Sequence, residues 1–361
     1  MIIKNSKICL TGGGTGGSVT PLLGLYSHLK AHENLKPYNF LWIGSKNGLE
    51  KVLVEKQDIA YFGISAGKLR RYFSLRNFID PFLIVAGFFQ ALMILRRERP
   101  SVIISAGSFV AVPVIIAGWF LRIPSIVHQM DVRPGLANKL MAPFAKIITT
   151  TFEKSLSDYD SRARQVGNII RPEIKNVPNL SKTDLLKKYG LKPSMPILLV
   201  VGGGTGAQAI NRLLIENLPA LTKTCQIIHQ TGAGKERGKA DANYFAYDFL
   251  TAEQLAECYA MADLVISRAG LGFISELAFL GKPSIIIPMP GTHQEDNARL
   301  LEEKGAALIL HEKIISNDRF AFRIQDLLGD HDKLAYFAAN IRELLKTNAE
   351  VELTSILKNL L

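Results

Sequence analysis

Two glycine-rich stretches stand out for the chemistry they could support. They are Gly12-Gly13-Gly14-Thr15-Gly16-Gly17 and Gly202-Gly203-Gly204-Thr205-Gly206. Each follows an apolar run and precedes a helical pattern. Glycines there let the backbone approach a phosphate, while the free N–H groups of the helix start point at it. A tight strand-to-helix turn with no ligand is the alternative. Neither stretch is a P-loop, because Gly-x4-Gly-Lys-Ser/Thr is absent. After Leu41-Trp42-Ile43 comes Gly44-Ser45-Lys46, where a nicotinamide enzyme places Asp or Glu, which argues against a dehydrogenase.

The sharpest stretch is Ser267-Arg268-Ala269-Gly270-Leu271-Gly272-Phe273-Ile274-Ser275-Glu276. It reads as a strand end, a turn and a helix start, with Glu276 in the first helical turn. Either Glu276 serves the helix dipole, or it accepts hydrogen bonds from a ribose diol while the turn amides face a diphosphate. A second strand-end loop runs from Pro288 to Asn297. Its Gln294 and Asn297 are uncharged and suited to sugar hydroxyls; alternatively Asp296 and Asn297 cap the following helix. Asp158-Tyr159-Asp160 has the D-x-D form but lies outside the strand-end loops, so no metal and no other cofactor is expected. Cys9, Cys225 and Cys258 are too far apart for a zinc site or a disulfide framework and read as core residues of a reducing compartment.

The elements that position these loops repeat. Strands are expected at Ile8–Thr11, Phe40–Ile43, Val102–Ser105, Ser125–His128 and Lys146–Thr150. A second series is expected at Ile197–Val201, Gln226–Gln230, Leu264–Ser267 and Ser284–Pro288, with helical patterns between. Such alternation gives parallel sheets covered by helices. The chain has 361 residues, enough for two domains, and 48% hydrophobic residues exclude wholesale disorder. Prolines 172, 178, 193 and 196 mark a linker holding one short helix, Lys182–Tyr189. The expected division is 1–166, a junction over 167–196, 197–340, and a C-terminal helix over 341–361 that packs back on the first domain.

The formal net charge is +11, which calls for an anionic partner. From Lys68 to Arg99, seven basic residues (Lys68, Arg70, Arg71, Arg76, Arg96, Arg97, Arg99) face two acids, Asp80 and Glu98. They bracket the apolar run Phe82–Leu95, which at 14 residues is too short to span a bilayer. A cationic helix bearing aromatics suits an acidic lipid surface; a wholly buried helix is the alternative. The N-terminus has no apolar region of secretory type. The expected location is cytoplasmic, peripheral on the inner face of the cell membrane. Nucleic acid is not expected, since the charge surrounds an apolar run and no aromatic stacking motif accompanies it.

Taken together, several segments carry a resemblance. They are Gly13 to Gly17, His128-Gln129-Met130-Asp131 with Pro134-Gly135-Leu136-Ala137-Asn138, Gly167-Asn168-x-x-Arg171, the second glycine turn to Asn211, Arg268 to Glu276, and His293-Gln294 to Asn297-Ala298. In this order, over residues 8 to about 310, the chain resembles the peptidoglycan N-acetylglucosaminyltransferases of glycosyltransferase family 28. These act on undecaprenyl-diphosphate-linked muramoyl pentapeptide, lipid I. The resemblance implies a GT-B fold of two Rossmann-like, doubly wound parallel-sheet domains facing a cleft. It implies UDP-N-acetylglucosamine as donor, the lipid-linked sugar as acceptor, and an inverting transfer to the muramoyl C4 hydroxyl.

It also implies residue roles. Glu276 would hold the ribose hydroxyls, the Leu250 backbone the uracil edge, and Arg171 the nucleotide sugar. Gln294 and Asn297 would hold the sugar hydroxyls. Gly204 and the helix start through Leu271, Gly272, Phe273, Ile274 and Ser275 would face the diphosphate. In the first half, Thr15, Gly16, Gly17 and Ser18 would face the donor. Asp131 and His128 are the candidate proton acceptors. The departures fall mainly on acceptor and acid–base positions: Ser18 for the family's histidine, Gln129 for its glutamate, Asp131 for its asparagine and Phe109 for its tyrosine. Gly204-Thr205 and Leu271-Gly272-Phe273 also differ from its pattern. The alternatives are a GT-B glycosyltransferase with another acceptor, a UDP-sugar epimerase, and a non-catalytic UDP-sugar binder. The sequence leaves the oligomeric state open.

Overall fold

Continuous apolar runs become strands buried on both faces, as parallel sheets require. A computed structural model describes residues 6–14, 16–33, 39–48, 50–67, 80–203 and 206–361. The chain divides into two units, residues 1–169 with 346–361, and residues 170–345.

The first unit holds β1 (Ile8–Thr11), β2 (Phe40–Ser45), β3 (Ala60–Ile64), β4 (Val102–Ser105), β5 (Ser125–Gln129), β6 (Ile147–Thr150) and β7 (Ala163–Gln165). Their order is β3-β2-β1-β4-β5-β6-β7, and every pairing is parallel. One face of the sheet packs on the helix Thr20–His32 through Leu22, Leu25 and Leu29, the other on Val110, Val114 and Ile115. The last helix, Ala349–Leu360, adds Ala349, Leu353, Ile356 and Leu357 to the first of these cores. Lys358 pairs there with Glu33 at 2.6 Å.

The second unit holds β8 (Ile197–Val201), β9 (Gln226–Gln230), β10 (Tyr244–Tyr247), β11 (Leu264–Ser267), β12 (Ser284–Ile286) and β13 (Leu308–Ile309). Their order is β10-β9-β8-β11-β12-β13, again all parallel. Both sheets therefore reverse direction of winding between their first and fourth strands. In such sheets ligands bind beyond the carboxyl ends of the two strands flanking that reversal. In the second unit those ends lead into Gly202 and Arg268.

Candidate functional site

Beyond β8 and β11 lies a cavity of about 770 Å³, lined by Gly203, Gly206, Lys235, Arg268, Phe273 and Gln294 among others. Two helices open onto it. Gln208–Leu221 follows the glycine turn, and Leu271–Leu280 follows Gly270, which has extended backbone at its N-cap. The first amides of a helix have no intrahelical acceptor, so each start offers N–H donors. Gly206 is required by its geometry: its φ is +71°, and a Cβ would stand 1.9 Å from the Thr231 carbonyl oxygen. Lys235 donates to the Gly206 carbonyl at 2.8 Å, which places an ammonium beside the turn.

Arg268 is buried at the rim of this cavity. Its Nη1 donates to the carbonyls of Ile287 (3.1 Å) and Pro288 (3.2 Å) and lies 2.6 Å from Glu312. Its Nε has no hydrogen-bond partner among the described residues. A buried arginine paired with Glu312, a lysine and two helix starts are the groups this cavity offers to an anion. Gln294 accepts from the Met289 amide at 3.1 Å and lines the same cavity. Asn297 is buried and donates to the Ala269 carbonyl at 3.1 Å, so its amide group holds the Arg268 loop in place. Neither Asp296 nor Asn297 is the helix cap; that position belongs to His293, with Gln294 first in the helix Gln294–Glu303.

Glu276 lies one turn deeper than the sequence pattern suggests. The helix begins at Leu271, so Glu276 is in its second turn, where the dipole no longer accounts for it. It is 6% exposed. Arg171 donates to its Oε1 through Nε (2.8 Å) and Nη2 (2.5 Å), and Tyr259 donates to its Oε2 at 3.2 Å. Burial pushes the Glu276 carboxyl above its ordinary range, and the Arg171 guanidinium opposes that shift. Ile274 and Ser275 are buried, while Gly272 is exposed and Phe273 half-exposed. The Leu250 amide, expected at a uracil edge, donates to Gln230 Oε1 at 3.0 Å. Gln230 Nε2 in turn donates to the Gly203 carbonyl at 2.9 Å. Gln230 thus ties the glycine turn to the Leu250 loop. No sequence motif marked it, nor Tyr259 or Lys235. Gly204 lies outside the described residues.

In the first unit the glycine turn is held by the protein itself. Trp42 Nε1 donates to the Gly12 carbonyl at 3.0 Å. Ser18 (3.2 Å) and Ser108 (2.7 Å) both donate to the Gly13 carbonyl. Glu50, a buried carboxylate absent from any motif, accepts from the Gly14 amide (3.1 Å), the Ser45 amide (2.8 Å) and the Ser45 hydroxyl (2.5 Å). Ser18 therefore closes the turn; it is not the cap of the helix Thr20–His32, whose N-cap is Val19. Gly17 is exposed beside it, in a short 3-10 turn with Gly16. Thr15 lies outside the described residues.

His128, the other candidate proton acceptor, lies in the interior of the first unit. It is buried in β5, its Nδ1 3.0 Å from Thr149 Oγ1 and its Nε2 3.4 Å from Thr151 Oγ1. Burial lowers its pKa to about 4, so the ring is neutral and a weak base. Asp131, just beyond β5, is half-buried, and its carbonyl takes bonds from Gln129 Nε2 (2.7 Å) and Ser155 Oγ (3.4 Å). Gln129 also accepts from Asn138 and, at 3.2 Å, from Tyr159. Asp160 of the D-x-D stretch is occupied by Arg162, at 2.7 Å.

The helix Asp80–Glu98 presents one face to the core through Ala91 and Leu95. Its other face carries Phe82 (76% exposed), Val85, Phe89 (56%) and Met93 (65%). Trp119 and Phe120, at the end of the helix Ala111–Phe120, are also exposed, and Phe120 stacks edge-on with Phe88 at 5.6 Å. Exposed Arg96, Arg97, Arg99 and Arg122 lie at the ends of these two helices. The wholly buried alternative is thereby overturned. Lys68, Arg70, Arg71 and Arg76 lie outside the described residues. Among the described residues no helix is long and apolar enough to cross a membrane.

Residues 8–150 match the glycosyltransferase family 28 N-terminal domain, and residues 197–352 match its C-terminal domain. A UDP-N-acetylglucosamine–N-acetylmuramyl-(pentapeptide) pyrophosphoryl-undecaprenol N-acetylglucosamine transferase of Clostridium botulinum is 37% identical over 356 residues, covering 94% of this chain and 98% of the relative. A transferase of the same name from Lachnoclostridium phytofermentans is 39% identical over 319 residues, covering 86% and 88%. The fold is similar to the crystal structure of Acinetobacter baumannii MurG, with TM-score 0.78 and 24% identity over 98% of this chain and 99% of that one. A UDP-N-acetylglucosamine 2-epimerase from Neisseria meningitidis shares the fold at TM-score 0.69 and 12% identity, over 98% of this chain and 100% of that one. The architecture is of GT-B type, and the chain belongs to glycosyltransferase family 28, among the N-acetylglucosaminyltransferases.

Proposed function

We propose that this protein transfers N-acetylglucosamine from UDP-N-acetylglucosamine to the C4 hydroxyl of the muramoyl sugar of undecaprenyl-diphosphate-linked muramoyl pentapeptide, with inversion. The product is the lipid-linked disaccharide used for peptidoglycan. The observation that supports this reading is the second unit's cavity, bordered by Lys235, Arg268 and the start of the helix Leu271–Leu280, which carries the buried Glu276 in its second turn. Its weight is increased by relatives named for that reaction that match nearly the whole chain.

In this reading Glu276 takes the ribose hydroxyls and Arg171 shares the nucleotide. The amides at Leu271 and Gly272, with Lys235 and Arg268, receive the charge that grows on the departing diphosphate. Preformed dipoles of this kind stabilise a transition state without reorganisation. Gln294 meets the sugar. The acceptor hydroxyl must lose a proton, and Asp131 is the carboxylate assigned to it, since His128 is buried and weakly basic. The lipid-linked acceptor places the enzyme on an anionic membrane surface through Phe82, Phe89, Met93 and Trp119, with Arg96, Arg97 and Arg122 on the lipid headgroups.

Titration with UDP tests the site. Glu276→Gln should weaken UDP by roughly 1.5–3 kcal/mol, the worth of charged hydrogen bonds, whereas Glu295→Gln, in an exposed position, should not. Equal affinities would remove Glu276 from the site. Co-sedimentation with anionic vesicles tests the membrane surface. Phe82→Glu with Phe89→Glu should release the protein, and binding indifferent to both these changes and salt would refute the assignment.

A further inference from the structure

The contacts of Glu276 leave little capacity for a ribose. Each carboxylate oxygen accepts about two hydrogen bonds. Oε1 already takes both of Arg171's, and Oε2 takes one from Tyr259. Arg171 is partly exposed, with a quarter of its side chain open to solvent. Tyr259 is fully buried. It sits in the helix Ala252–Met261, which is fixed at its start by a capping box between Thr251 and Gln254. Of the two partners, Arg171 has part of its side chain open to solvent and Tyr259 has none.

We infer that Tyr259 is a positioning residue for ribose recognition: its hydroxyl fixes the Glu276 carboxylate from the buried side, aiming it at the ribose diol while Arg171 yields. Burial and the neighbouring carboxylate hold the Tyr259 hydroxyl protonated, well above the usual phenol range, so it remains a donor. Without that anchor Glu276 would follow Arg171, and the diol would meet a carboxylate in the wrong orientation. This inference rests on the reading that Glu276 binds the ribose.

The test compares UDP with 2′-deoxy-UDP by calorimetry on the full chain, in wild type, Tyr259→Phe and Glu276→Gln. The readout is the ratio of the two affinities within one preparation, from which the folded fraction cancels. Wild type should prefer UDP, and Glu276→Gln should abolish the preference. Tyr259→Phe should reduce it by about threefold to tenfold, a part of what a direct hydrogen bond to a charged group contributes, with 2′-deoxy-UDP bound nearly as in wild type. If Glu276→Gln abolishes the preference and Tyr259→Phe leaves it at the wild-type value, the inference is wrong and the ribose reading stands. If Glu276→Gln leaves the preference intact, the ribose reading fails and the inference falls with it. An equal loss for both nucleotides in Tyr259→Phe would make the residue merely structural and also overturn the inference.

Discussion

Replacing Glu50 by glutamine should unfasten the first glycine turn. The carboxylate accepts from the Gly14 amide with one oxygen and from the Ser45 amide and hydroxyl with the other. A glutamine has one acceptor end. Whichever way its amide is turned, an NH2 faces an N–H, and at least one buried donor is left unsatisfied. That costs about 1–3 kcal/mol, and the surviving bonds weaken with the loss of charge, for a total of about 2–4 kcal/mol. With a urea slope near 2 kcal/mol per molar, the midpoint should fall by about 1–2 M. The protein supplies its own reporter. Both tryptophans, Trp42 and Trp119, lie in the first unit, and Trp42 donates into the same turn. Fluorescence therefore follows this unit alone. The pH dependence has a definite sign. Burial would raise the Glu50 pKa, but bonds from Ser45 and Gly14 outweigh it and hold it below the ordinary value. A depressed carboxylate stabilises the fold above its unfolded pKa and loses that contribution as pH falls through the folded pKa. The gap between wild type and Glu50→Gln should thus be full at neutral pH and close in acid, below the ordinary glutamate range. An unchanged tryptophan-monitored midpoint at neutral pH would refute the reasoning.

Two further outcomes follow from groups on the same elements. His128 and His229 are buried and lowered by burial to about 4, so between that value and about 6.5 the unfolded chain binds more protons. Stability should rise with pH across this window; on lowering pH from 7 to 5 each histidine should remove about 2 kcal/mol. The tryptophan-monitored urea midpoint reads His128's share, and a flat profile would exclude it. Gly206→Ala meets a backbone carbonyl, whereas Gly203→Ala at φ +115° has nothing within 4 Å among the described residues. Both carry backbone strain, and only Gly206→Ala adds a clash, so it should weaken UDP more and destabilise the fold more, by about 2 kcal/mol or more. Equal effects in calorimetry would contradict the turn geometry.

The interior of both sheets was readable from apolar runs, and the edges were not. β3, β7, β10 and β13 escaped the pattern, and each is an outer strand of its sheet. An outer strand has one neighbour and exposed positions, so its residues need not be continuously apolar: β7 is Ala-Arg-Gln. The glycine turns and the Arg268 to Glu276 stretch were legible because a strand end, a turn and a helix start follow one another directly in the sequence. The side chains that hold them were not. Glu50 lies 36 residues from Gly14, Gln230 lies 27 from Gly203, and Arg171 lies 105 from Glu276. Such contacts exist only once the parallel strands are in register. Ser18, placed by the resemblance at the donor, spends its hydroxyl on the Gly13 carbonyl, a contact that spacing alone does not show.

The most direct measurement of the central claim is the mass of the product formed from UDP-N-acetylglucosamine and a lipid-linked muramoyl pentapeptide analogue. The account predicts a lipid product heavier by one N-acetylhexosamine residue, formed with stoichiometric UDP and lost in Glu276→Gln at limiting donor. Donor consumed to give a free or epimerised sugar, with the acceptor mass unchanged, would contradict it.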